Sequence, residues 1–227
     1  DILREAFAIA KSGRPGPVLV DIPKDVQVGT YEYEPKPVVE KKPLPKVKQS
    51  LIDEAVALIA EAKKPYIYVG GGAAGLGMGK DILDFASKID AVIGCSFMGL
   101  SAVPQENERF LGMQGMHGHY ASSMSQNEAD LILAVGVRFS DRATGNVAKF
   151  AKKSKIIQLD PDSAEVNKNV RVNLGLVGDV EDSFKRIAKK CEQKDNSEWL
   201  IRVNELKKEE KGFEDEIAAA ATAPLTP

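Results

Sequence analysis

Tyr66-Ile67-Tyr68-Val69-Gly70-Gly71-Gly72-Ala73-Ala74-Gly75 is the stretch that decides the fold. Its first four residues are apolar or aromatic and follow Pro65, so they read as a short buried strand. The glycines make a tight turn, and Ile82, Leu83, Phe85, Ala86 and Ile89 then recur at helical spacing. Strand, turn and helix are the opening of a βαβ unit, and the alternation continues on both sides. Upstream, Leu51, Ile52, Ala55, Val56, Ile59 and Ala62 mark a helix for which Ser50-Leu51-Ile52-Asp53 offers a capping box. Downstream, Ala91–Gly94, Leu131–Val135, Ile156–Leu159 and Val170–Val177 are further short apolar runs. Val180, Phe184, Ile187, Ala188 and Cys191 stripe a last helix, with Asp179 placed to cap it. Strands that are apolar on both faces need helices on both faces. The fold class is therefore α/β: a three-layer Rossmann-like domain over residues 50–192 with a mainly parallel, about six-stranded sheet.

Outside that domain the pattern changes. Residues 1–12 read as the end of an amphipathic helix, and Pro17-Val18-Leu19-Val20-Asp21-Ile22-Pro23 as a buried strand. Pro35, Pro37, Pro43 and Pro45 lie among Glu and Lys, which makes residues 30–49 a stiff solvated linker and sets residues 1–29 in a different domain. Residues 193–227 read as a charged helical connector. The chain starts at Asp1, without Met and inside a helical pattern, so a piece of a longer protein is expected.

Composition excludes several classes. With 31 Lys+Arg against 33 Asp+Glu there is no basic footprint for nucleic acid. No run approaches the roughly 20 apolar residues of a membrane helix. The two cysteines, Cys95 and Cys191, cannot form a disulfide framework and fit a reducing cytoplasm. Cys95 has no neighbouring His or helix start to lower its pKa, which speaks against a nucleophile.

Gly70–Gly75 matches G-x-G-x-x-G between a strand and a helix, where helix-start amides can cradle a pyrophosphate; a plain tight turn explains the same glycines. His117 and His119 are the only histidines, but no Cys, Asp or Glu stands beside them at ligand spacing, so no metal is assigned. Gly136-Val137-Arg138-Phe139-Ser140-Asp141-Arg142 lies beyond the carboxyl end of Leu131–Val135, the edge where open parallel sheets bind ligands. Its arginines suit an anion, and an Arg–Asp pair in a solvated loop is the alternative. Asp160 ends a strand where a carboxylate can accept from a ribose. The residues alone thus point to a nucleotide-type ligand and leave the reaction unread.

The sequence resembles the large catalytic subunit of acetohydroxyacid synthase (acetolactate synthase). The resemblance rests on Ser12-Gly13-Arg14-Pro15-Gly16-Pro17 with Val18 to Val26, Tyr68-Val69-Gly70-Gly71-Gly72, Phe97-Met98-Gly99, Leu111 to Gly118, and Gly136 to Arg142, in the family's order. It implies a thiamine-diphosphate enzyme that decarboxylates pyruvate and joins the two-carbon fragment to a second 2-keto acid, in branched-chain amino acid biosynthesis. On that template residues 1–29 end the N-terminal, pyrimidine-binding domain and residues 50–192 form the central FAD-binding domain of DHS-like NAD/FAD-binding type. Residues 193–227 lead to the thiamine-diphosphate domain.

The FAD contacts implied are Arg14, Gly70, Gly71, Gly72, Ser96, Phe97, Met98, Gly99, Gln114, Gly115, Met116, His117, Gly136, Val137, Arg138, Phe139, Ser140, Asp141, Arg142, Asp160 and Asp179. Lys24, Met116, Asp141 and Arg142 would line the substrate channel. The flavin is expected to be structural. Thiamine diphosphate and Mg²⁺ would be held elsewhere in the parent, because Gly178-Asp179-Val180 is not the Gly-Asp-Gly signature; this chain alone is expected to hold no catalytic residue and to be inactive. The resemblance further implies a homodimer or tetramer of catalytic subunits, a small regulatory subunit, a cytoplasmic location, and neither nucleic acid nor membrane as partner. Ser140, Pro161 and His119 depart from the family pattern, which has an aspartate, an aliphatic residue and a threonine there.

Overall fold

The computed structural model describes residues 1–37 and 43–221, and the chain forms two compact units, Asp1–Pro45 and Lys46–Pro227. The middle of the proline-rich linker and the Pro224–Pro227 stretch lie outside the described residues.

The first unit holds helices α1 (Ile2–Lys11) and α2 (Lys24–Val28). The expected strand at Pro17–Pro23 is not there: the segment is irregular and exposed, with Leu19 at 92% exposure. A strand needs a ladder partner for its backbone groups, and this unit has no other strand among its described residues. Arg4 donates to the carbonyls of Lys36 and Pro37 at 3.0 and 2.7 Å, tying the linker back to α1.

In the second unit six parallel strands form one sheet, β1 (Pro65–Val69), β2 (Val92–Cys95), β3 (Phe110–Met113), β4 (Leu131–Val135), β5 (Lys155–Asp160) and β6 (Leu174–Val177), in the order β3-β2-β1-β4-β5-β6. The edge strand β3 is absent from the sequence reading. Only two of its four residues are buried, Gly112 sits at φ +75°, and its pairing with β2 shifts register between Ile93 and Cys95.

Alternation along the central strands sorts the core into two layers. Ile67, Val69, Leu131, Leu133, Val135, Ile157 and Leu159 face α3 (Gln49–Glu61), α5 (Gly79–Lys88) and α8 (Val180–Lys190), whose Ile52, Ile59, Ile82, Phe85, Phe184 and Ile187 are buried against them. Tyr66, Tyr68, Ile132, Ala134 and Ile156 face the other way, beneath α6 (Tyr120–Glu128) and the start of α9 (Ser197–Ala221). The three-layer α/β/α fold is as the sequence pattern requires. Among the described residues no helix is long and apolar enough to cross a membrane.

Two local readings are corrected. The capping box at Ser50 does not form: α3 starts at Gln49, and Asp53 instead accepts from Gln49 Nε2 at 3.0 Å and pairs with Lys190. The segment after residue 192 is no mere connector. Trp199, Val203 and Leu206 are buried, and the Trp199 indole N–H donates to the Pro65 carbonyl at 3.1 Å. Lys194 donates to the carbonyls of Ile59 and Ala60 at 3.0 and 2.6 Å and also to that of Ala62, closing the carboxyl end of α3; burial pushes its ammonium pKa down. Asp179 does cap α8, its Oδ1 accepting from the Asp182 N–H at 3.0 Å.

Trp199→Ala is expected to lower stability by about 3–5 kcal/mol in urea unfolding, the range for a buried tryptophan truncated in a core. A loss below about 0.5 kcal/mol would place residues after 192 outside the folded domain.

Candidate functional site

Because all six strands run parallel, their carboxyl ends share one edge, and nearly every candidate residue of the second unit sits just beyond one of them. Gly70 follows β1, Ser96 to Gly99 follow β2, Gln114 to His117 follow β3, Gly136 to Arg142 follow β4, Asp160 ends β5 and Asp179 follows β6 by two residues. The strand order reverses between β1 and β4, which is where open α/β sheets leave a ligand crevice. Arg14 and Lys24 are exposed in the first unit.

At the reversal the two loops touch backbone to backbone. The Gly70 N–H donates to the Val135 carbonyl at 3.0 Å and the Gly72 N–H to the Gly136 carbonyl at 3.2 Å. A Cβ on Gly70 would lie 2.1 Å from the Gly136 oxygen, and one on Gly72 2.9 Å from the Gly136 Cα; Gly136 itself sits at φ +61°. The glycine motif therefore answers first to loop packing. The short helix α4 (Gly71–Gly75) begins inside it, and one of its first-turn amides is already engaged by Gly136.

The β4 loop alternates in burial. Val137 and Phe139 are anchored inside, with the Phe139 ring 5.8 Å from Tyr68 and 5.9 Å from Phe150, while Arg138, Ser140, Asp141 and Arg142 face out. The Arg–Asp alternative does not form: Asp141, which opens α7 (Asp141–Thr144), accepts from the Arg142 backbone N–H at 2.8 Å. Both guanidinium groups are unpaired among the described residues, which is the donor set an anion requires.

The β3 turn is fixed from below. Gln114 is 3% exposed, and its Oε1 accepts from the Tyr66 hydroxyl at 2.7 Å. Burial pushes the Tyr66 phenol far above its ordinary range, so it stays a donor. Gly94 makes room for that hydroxyl, since a Cβ there would lie 1.6 Å from it. Above, the Met116 N–H donates to the Arg142 carbonyl at 2.9 Å, joining the β3 and β4 loops and leaving Met116 and His117 exposed at the tip.

Phe97 and Met98 on the 3-10 turn Phe97–Gly99, together with Met116, are 72%, 66% and 68% exposed. Exposed apolar groups on the same sheet edge as two arginines unpaired among the described residues fit a ligand with a flat aromatic part and an anionic part. Asp160 is buried, with Oδ1 accepting from the Asp162 N–H at 2.9 Å. These features fit a flavin nucleotide, and Asp179 uses one carboxylate oxygen to cap α8.

Other chemistry is weaker. The Cys95 thiol is buried and pushed up to about 12, and Cys191 to about 11, so neither is a thiolate at neutral pH. His119, which the sequence left without ligand-type neighbours, meets Glu210 and Glu214 of α9, their ligand atoms within 4.8 Å of one another. Glu210 is already occupied: it accepts from His119 Nδ1 and from the N–H groups of Tyr120 and Ala121. No local signal pointed to Glu210, which lies 90 residues from Tyr120.

With this geometry in hand, residues 52–187 match the description of the thiamine pyrophosphate enzyme central domain. The chain belongs to the thiamine pyrophosphate enzyme family. Similar proteins include the probable acetolactate synthase large subunit of Methanocaldococcus jannaschii, 40% identical over 92% of this chain and 37% of that protein. The acetolactate synthase large subunit of Corynebacterium glutamicum is 39% identical over 90% of this chain and 34% of its own length. The isozyme 1 large subunit of Escherichia coli is 36% identical over 92% and 37%. The chain thus spans little more than a third of these relatives, and the resemblance read from its motifs is borne out. In this central domain the motifs that carried the resemblance are the strand-end loops of one edge.

Gly70→Ala is expected to cost more than about 2 kcal/mol in denaturant unfolding, because its Cβ would meet backbone that cannot yield. Gly75→Ala, with open space around its Cβ, is expected to be neutral or stabilising by up to about 1 kcal/mol. Equal effects at the two positions would contradict the seam.

Proposed function

We propose that this chain is the FAD-binding central region of an acetolactate synthase large subunit. Its parent would condense two pyruvates, or pyruvate with 2-ketobutyrate, releasing CO₂, in branched-chain amino acid biosynthesis. The observation that carries the reading is the sheet edge at the β1/β4 reversal, whose loops present Arg138 and Arg142, unpaired among the described residues, together with the exposed apolar Phe97, Met98 and Met116. Relatives that are acetolactate synthase large subunits support it. The residues that would hold the flavin are Gly70 to Gly72, Ser96 to Gly99, Gln114 to His117, Gly136 to Arg142, Asp160 and Asp179, with Arg14 from the first unit. When bound, FAD would be structural and perform no net redox step, the protein supplying its position and electrostatics.

Thiamine diphosphate and Mg²⁺ belong in this reading to the rest of the parent. Gly178-Asp179-Val180 lacks the Gly-Asp-Gly signature, and Asp179 caps α8 there. The chain by itself would be inactive. Residues 1–29 would end the N-terminal domain, 30–49 link it to the central domain, and α9 lead toward the thiamine-diphosphate domain. Lys24, Met116, Asp141 and Arg142 would line the 2-keto acid channel. The parent would be a cytoplasmic homodimer or tetramer with a small regulatory subunit.

One observation favours a flavin-free thiamine-dependent relative as the second reading: Gly70 and Gly72 are fully explained by contact with Gly136. Flavin absorbance of the purified whole protein separates the two. The proposal expects flavin near one per chain. In the whole protein Arg14→Ala should lower flavin content, and Arg142→Ala should raise the KM for pyruvate about tenfold, the scale of one charge-assisted contact. Full activity on pyruvate without flavin would overturn the FAD reading.

A further inference from the structure

Helix α9 runs antiparallel along α6, because Glu210 meets Tyr120 at one end and Arg202 meets Glu128 at the other. The sense of the charges matters. At the amino end of α6, Glu210 Oε1 accepts from the Tyr120 N–H at 3.0 Å and from His119 Nδ1 at 3.0 Å, and Oε2 accepts from the Ala121 N–H at 3.2 Å. His119 at the cap position provides no side-chain cap of its own, so a carboxylate from a distant helix satisfies two first-turn amides and sits against the positive end of α6. At the carboxyl end Arg202 donates to Glu128 at 2.8 Å and holds that carboxyl below its ordinary pKa.

The start of α6 in turn holds the β3 turn. The His119 N–H donates to the Met113 carbonyl at 2.7 Å, and Ser123 Oγ accepts from the Gly115 N–H at 3.2 Å. Gly115 lies at φ +98°, where a Cβ would come within 2.4 Å of the Arg142 oxygen, and the Met116 N–H reaches the same carbonyl. The His119 ring lodges over Gly112, whose absent Cβ would lie 2.4 Å from Cδ2. Displacement of α6 would therefore move Gly115 to His117 and the Arg142 loop together. Glu210 itself lies off the crevice, in a shallow cavity of about 290 Å³ beside β3 that it shares with Leu111, His119 and Lys207.

We infer that Glu210 is a positioning residue: by capping α6 from α9 it fixes the Gly115–His117 turn against the Arg142 loop and so sets the affinity of the crevice for the flavin nucleotide. The inference rests on the flavin reading above. It makes α9, the helix leaving the domain, part of the cofactor site without touching the cofactor.

The test uses the whole protein, stripped of flavin, as wild type, Glu210→Gln, Glu210→Ala and the control Glu214→Gln one turn along α9. FAD affinity is read by fluorescence titration, and hydrogen exchange of the amides from Gly115 to Ala121 is read alongside the Tm. Gln presents a donor where Oε1 or Oε2 accepted, so Glu210→Gln is expected to weaken FAD about tenfold and speed exchange in the turn. Glu210→Ala is expected to do both more strongly, and Glu214→Gln neither. Unchanged FAD affinity in both Glu210 variants, even with a lower Tm, would overturn the inference and leave a purely structural cap. A wild type that takes up no FAD would overturn the flavin reading and this inference with it.

Discussion

The structure depends on one backbone seam. β1 and β4 are paired residue for residue from Pro65 with Leu131 to Val69 with Val135, so their carboxyl ends finish level. The chains leaving them must then pass within van der Waals contact. Only residues without Cβ allow that approach, and Gly70, Gly72 and Gly136 occupy the three points of contact. Their mutual hydrogen bonds leave the side chains of the β4 loop as the adjustable part of the edge. Phe139, held at φ +47° with its ring buried, turns Arg138 and Ser140 outward on either side.

The two helix layers serve that edge differently. The layer of α3, α5 and α8 packs mainly apolar side chains on the sheet, with Phe85 and Phe184 meeting edge to face at 5.4 Å. The opposite layer carries polar groups into the interior: Tyr66, Gln114 and Ser122 form a buried hydrogen-bonded set under the β3 turn. Buried polar networks hold a particular geometry when their members are paired. Here the geometry fixed is that of the loop from Gln114 to Gly118, the part of the edge with the least strand beneath it.

How much was legible in the sequence follows from how local each signal was. β1, β2, β4 and β5 showed as apolar runs because both faces of a central parallel strand are buried, the edge strand β6 showed within the apolar Val170–Val177 run, and the Asp179 cap showed because its partner amide is three residues away. β3 did not show, because an edge strand of four residues with a positive-φ glycine has no pattern of its own. Pro17–Pro23 looked like a strand by composition, yet composition cannot supply a ladder partner. Trp199 and Glu210 were missed for a single reason: their partners, Pro65 and the start of α6, lie 134 and 90 residues away. The candidate residues were found at the right edge, but their burial was not foreseen. Gln114 proved to be a buried support, and the glycines proved to touch each other.

On the function proposed, the strand-end loops of this edge form one flavin-nucleotide site. Hydrogen–deuterium exchange of the whole protein, stripped of flavin and then reloaded with FAD, tests it most directly. Protection is expected at Gly70–Ala73, Ser96–Gly99, Gln114–Gly118 and Gly136–Arg142, and beside Arg14 and Asp160. Protection centred instead on the cavity between β3 and α9, or no change at these loops on FAD addition, would contradict it.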